Sequence, residues 1–135
     1  MIETLIRIEG ALLMLLALLH APFPRYFRWR EETAGCSLLT RQVLHVHCFF
    51  IALGVFLMGL LCATSAPELT GTPLGRKIAA GFGFFWLCRL LIQFFGYSPE
   101  LWRGKRFETT VHILFSILWL VLTATFAWAA TSSSR

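Results

Sequence analysis

Four histidines, an arginine and a glutamate stand inside or beside long apolar runs of this chain, and they define the chemistry worth considering. His45, His47 and Cys48 sit close together in a run that continues to Thr64. Arg89 is flanked by Leu87, Leu90, Leu91 and Ile92, with Gln93 four residues further on. Glu108 and His112 share an i, i+4 spacing, and His20 closes the first apolar run. An ionisable side chain at membrane depth is costly and signals a site or a partner.

Three chemistries fit these residue types. Imidazoles on facing helices can ligate haem iron from both sides, given aromatic walls and cations for the propionates. His45 or His47 with His112 would be the axial pair of a haem b electron carrier, with Arg41 and Arg89 near the propionates. Phe49, Phe82, Trp86, Phe115 and Trp119 would wall that site. Alternatively, His20, His45, Glu108 and His112 supply three imidazoles and a carboxylate for one zinc or iron ion. Such an enzyme would act on a lipid or a quinone; a di-iron centre of the membrane hydroxylase kind needs more histidines than the four present. In the third reading Arg89 and Glu108 pair across two helices as a structural lock. The chain is then a non-catalytic accessory or assembly subunit of a membrane complex, and this reading ranks slightly ahead of the haem carrier, with the metalloenzyme third.

Cys36, Cys48, Cys62 and Cys88 contain no CxxC pair. That disfavours disulfide exchange and CxxC-type zinc binding, and leaves the thiols as small hydrophobes.

The elements that must position these groups are membrane spans. Hydrophobic residues make up 57% of the 135 and charged ones 14%, against about 25% charged in soluble domains; the mean hydropathy is +0.70. A spanning helix needs about 20 mostly apolar residues, and residues 2–21, 38–64, 77–95 and 107–130 qualify. The expected fold is therefore a single all-α domain, a bundle of four transmembrane helices. The first run is the weakest, carrying Glu3, Arg7 and Glu9. Its start lacks a positive excess and Leu19-His20-Ala21-Pro22 is a poor cleavage site, so it reads as a retained helix.

Segment 22–37 mixes Phe23, Tyr26, Phe27 and Trp29 with Arg25, Arg28 and Arg30, a headgroup-layer composition repeated by Trp102, Arg103, Lys105 and Arg106. Ser37 or Thr40 is the expected cap of the second helix. Segment 65–75 reads as a Pro/Gly turn. Ser98-Pro99-Glu100 reads as a cap with proline at the first helical position, and tail 131–135 as polar and frayed. Seven basic residues (Arg25, Arg28, Arg30, Arg41, Arg103, Lys105, Arg106) face four on the other side (Arg7, Arg76, Lys77, Arg135). The bias places both termini outside the cytoplasmic membrane of a bacterium. The net charge of +5 suits anionic lipid and calls for no nucleic acid. The expected partners are the bilayer, other membrane subunits or further copies of the chain.

On this topology His20, His45, His47, Arg89, Gln93, Glu108 and His112 fall into one cytoplasmic layer. Helical spacing puts Arg41, His45, Cys48, Ala52, Val55, Gly59 and Cys62 on one small or polar stripe. His45 is accordingly favoured as the inward histidine, with His47 at the interface or facing another helix, while Gly54 on the His47 face leaves the reverse assignment open. Phe82, Trp86, Arg89 and Gln93 share a face, as do Glu108, His112, Phe115 and Trp119. Ala79 and Gly83 form a further close-packing pair.

Overall fold

The computed structural model describes residues 1–132, and among them it is all-helical, with seven α-helices and one 3-10 turn. They are α1 (Ile2–Leu18), α2 (Phe23–Tyr26), α3 (Trp29–Glu32), α4 (Leu38–Thr64), α5 (Ala66–Gly71), α6 (Pro73–Phe95) and α7 (Arg106–Thr131). The 3-10 turn covers Pro99–Leu101. The last three residues of the expected polar tail lie outside the described residues, and Thr131 ends α7.

Three helices, α4, α6 and α7, are long and apolar enough to cross a membrane, which marks this as a membrane protein. Their 27, 23 and 26 residues give about 35–40 Å at 1.5 Å per residue, more than the roughly 30 Å hydrocarbon layer. Helix α1 has 17 residues, about 26 Å, and is shorter than its expected range. Pro22 and Pro24 are the reason. The chain leaves the α-helical pattern after Leu18 and tightens into i→i−3 bonds from His20 to Ala17 and from Ala21 to Leu18.

Capping explains the other boundaries. Ser37 caps α4, its hydroxyl accepting from the Thr40 amide at 3.2 Å. Segment 65–75 is not a plain turn. Thr72 is its pivot: the hydroxyl donates to the Glu68 carbonyl at 2.8 Å and accepts from the Gly75 amide at 2.9 Å. It thereby closes α5 and opens α6, with Pro73 at the first turn. Ser98-Pro99-Glu100 opens only the 3-10 turn, without a side-chain cap bond, and α7 begins at Arg106.

Packing divides the chain into two compact units, Ile6–Ala66 and Met1–Leu5 with the chain from Pro67 onward. In the first unit α1 and α4 meet at two glycines. A Cβ on Gly10 would lie 2.6 Å from the Gly59 carbonyl oxygen, and one on Gly59 2.6 Å from that of Gly10, so only hydrogen atoms fit between the backbones. The α4 stripe is buried at Val55, Gly59 and Cys62 but not at its other end, where His45 is exposed.

In the second unit α6 and α7 pack through Ala79, Gly83, Trp86 and Gln93 on one side and Trp119, Leu122, Thr125, Phe126 and Ala129 on the other. Gly83 lies against Phe126 and Ala127, and the Phe82 and Phe126 rings meet edge to face at 5.4 Å.

Candidate functional site

The polar chemistry of the second unit converges on Gln93, one of two glutamines in the chain. It is buried, 6% exposed, in the last turn of α6. Its Oε1 accepts from Arg89 Nη1 at 3.0 Å and from the Trp119 indole Nε1 at 3.3 Å. Its Nε2 lies 2.8 Å from His112 Nδ1. Both guanidinium and indole are donors only, so the amide can present only its oxygen to them. The NH2 group must then face His112, whose Nδ1 accepts and whose ring proton is placed on Nε2.

Aromatic rings enclose this amide. The His112 ring stacks on Trp102 at 4.4 Å and 11°, with the Phe94 edge at 6.0 Å. Trp102 is itself fixed by the Thr109 hydroxyl, which donates to its carbonyl at 2.6 Å. The Arg89 guanidinium lies over Trp119 at 4.9 Å and Tyr97 at 5.6 Å, so two ring faces lie against its charge. Trp119 stacks on Trp86 at 5.0 Å and 6°, and on Phe115 at 5.4 Å. The arrangement joins α6 to α7 through one amide and a column of rings.

Arg89 therefore takes Gln93 as its partner and not Glu108. Glu108 is exposed in the first turn of α7, and the ion pair found among the described residues is Arg28 with Glu31. The reason is spacing: Gln93 stands one helical turn from Arg89 on the same face, within direct reach.

The other histidines turn back on their own segments. Nδ1 of His20, His45 and His47 lies 2.8, 2.8 and 2.9 Å from the carbonyls of Leu16, Arg41 and Val43. A carbonyl only accepts, so each Nδ1 carries the proton and each Nε2 is a bare acceptor. His45 and His47 are both exposed, so the expected inward turn of His45 is not seen; its ring meets the edge of Trp29 at 5.4 Å. Arg41 is partly buried, and its Nε finds no hydrogen-bond partner among the described residues.

These donor sets bear on the cofactor readings. A metal-ligating histidine binds through one nitrogen and donates the other N–H to an acceptor. His112 has the opposite arrangement, with an amide NH2 at Nδ1 and the proton on Nε2, and so does not fit an axial or zinc ligand. Among the described residues, no three His, Cys, Asp or Glu side chains come together to hold a metal ion.

Sequence reasoning placed Arg89, Gln93, His112 and Trp119 on suitable faces but missed Gln93 as the centre and Trp102 as the ring beneath His112. A lone amide deep in an apolar run was the available signal for Gln93; nothing local marked Trp102. No protein family model, curated protein or solved structure matches this chain.

Proposed function

We propose that this chain is a small polytopic membrane protein that serves as a non-catalytic accessory or assembly subunit, its α6–α7 polar cluster acting as a structural lock. The observation that carries this reading is the orientation of the Gln93 amide. It consumes Arg89, Trp119 and His112 together and leaves His112 in the tautomer unsuited to ligation.

We further read α1 as a fourth span, with both termini outside the cytoplasmic membrane of a bacterium. Glu9 is 2% exposed. Arg7 donates to the Ala63 carbonyl at 3.0 Å, at the C-terminal end of α4 where unpaired carbonyls carry partial negative charge. The charges that weaken α1 as an apolar run are thus partly covered by protein. Only 17%, 22% and 28% of the apolar windows of α4, α6 and α7 are buried, which leaves wide faces for acyl chains or partner helices.

The test is extraction in a mild detergent, followed by visible absorption, metal analysis and native mass spectrometry. The expected result is a defined assembly with neither haem nor a transition metal at one per chain. Haem absorption or a stoichiometric metal would overturn the reading. Reporter fusions at residue 135 should place that end outside, and a cytoplasmic signal would refute the orientation.

A further inference from the structure

Arg89 stands on α6 six residues before Phe95, about 9 Å from the helix end. The apolar side chains around that level, Leu91, Ile92, Phe94 and Phe95, are exposed and would face acyl chains. Side chains on a helix lean towards its N-terminus, yet the Arg89 guanidinium meets Gln93 and the Tyr97 ring, both further along the chain. It is drawn towards the loop between α6 and α7, as a cation rooted below a membrane surface reaches for the headgroups. Of its five N–H donors, one on Nη1 goes to Gln93. No carboxylate pairs with it among the described residues, and its Nε–Nη2 edge, two parallel donors, bonds to no protein acceptor there. Arg89 is only partly buried and none of its nitrogens is enclosed without a partner, so that edge reaches the surface.

Two anionic oxygens set side by side complete such a guanidinium, and in a bilayer a phosphodiester supplies them. Neighbouring charge selects the lipid. Trp102 stacks on His112, which bonds Gln93, so the segment carrying Arg103, Lys105 and Arg106 is tied to the same end of the helix pair. These three cations are exposed and, with Arg89, stand against two carboxylates, Glu100 and Glu108. The positive excess favours a headgroup with a net negative charge over a zwitterionic one. Tyr97 and Trp102 add the aromatic rings characteristic of that depth. We infer that the loop end of α6 and α7 holds one anionic phospholipid, its phosphodiester oxygens paired with the Nε–Nη2 edge of Arg89. The site presupposes the membrane reading of these helices and is independent of the subunit role; Gln93 joins α6 to α7 with the lipid in place.

The test is native mass spectrometry of the protein released from neutral-detergent micelles containing dioleoyl phosphatidylglycerol, dioleoyl phosphatidylcholine or inorganic phosphate. Phosphatidylglycerol should be retained at one per chain and phosphatidylcholine about fivefold more weakly. Inorganic phosphate, which lacks acyl chains, should not saturate in the same concentration range. Arg89→Gln and Lys77→Gln each remove one positive charge, Lys77 being exposed near the opposite end of α6. The first should weaken retention of phosphatidylglycerol roughly tenfold, the loss expected for a charge-assisted hydrogen bond, and the second should leave it within about twofold. Equal retention of the two lipids, phosphate binding as strong as that of phosphatidylglycerol, or equal losses in the two variants would overturn the site. If Arg89→Gln fails to fold, Arg89→Lys decides, since it keeps the charge without the paired edge: a loss of about threefold or more supports the site, and unchanged retention overturns it. A chain that stays in solution without detergent would overturn the membrane reading and the site with it, whereas absence of lipid preference in a detergent-extracted chain overturns the site alone.

Discussion

The two units join their helices in opposite ways. α6 and α7 are tied by a buried amide whose oxygen and nitrogen are both used, surrounded by stacked rings. α1 and α4 approach at Gly10 and Gly59, where side chains are absent and the backbones nearly touch. Between helices that lie among acyl chains the hydrophobic effect gives little preference for protein over lipid, so close packing and hydrogen bonds must supply it. One unit relies on each. The difference decides what the histidines do: where an amide gathers polar groups, His112 joins the network, whereas in the glycine-joined unit each histidine is satisfied by its own backbone and keeps Nε2 free.

The largest expected effect lies in the glycine contact. Gly59→Leu places carbon where only hydrogen fits, and should cost about 3 kcal/mol or more, towards and beyond the usual range for overpacking. Gly54→Leu meets nothing within 4 Å and should stay within about 0.5 kcal/mol. Detergent unfolding curves of the two would separate them, and equal behaviour would mean the glycine contact does not hold the unit.

Next comes the amide. Gln93→Leu leaves Arg89, Trp119 and His112 without their shared partner, and about 3 kcal/mol is expected from the desolvation of such groups. Gln93→Glu sharpens the point. Its carboxylate still accepts from Arg89 and Trp119, and His112 can move its proton to Nδ1 and donate. It should therefore retain more stability than Gln93→Leu, and imidazole nitrogen shifts should report the tautomer change; an unchanged His112 tautomer would count against the assigned amide orientation.

A smaller loss is expected for Arg89→Leu, about 2 kcal/mol for a charge-assisted hydrogen bond and ring contacts. With no carboxylate partner among the described residues, its removal strands no opposite charge there. Arg103→Leu, on the exposed loop, should change stability by less than about 0.5 kcal/mol. Equal losses in the two would argue that Arg89 is also solvated. The least effect belongs to His45→Phe, within about 0.5 kcal/mol, since its ring is exposed, its hydrogen bond goes to its own helix and phenylalanine keeps a ring against Trp29.

The sequence by itself determined the helical class, the three long apolar helices and several caps, because hydropathy and capping act within one or two turns. Leu38–Thr64 matches the expected range, and Ser37 caps it. It also determined which residues share a face, since 100° per residue needs no knowledge of neighbours. Trp86, Gln93 and Trp119 accordingly lie buried together. Tertiary structure alone decided which polar group on a face takes which partner. Arg89 could reach a carboxylate on α7 or an amide on its own helix, and the outcome depends on the α6–α7 packing that buries Gln93. It also decided where the α4 stripe is buried. The pattern runs evenly from Arg41 to Cys62, but close approach occurs only where Gly59 meets a second glycine, Gly10, nearly fifty residues away in the chain, and periodicity carries no information about that meeting.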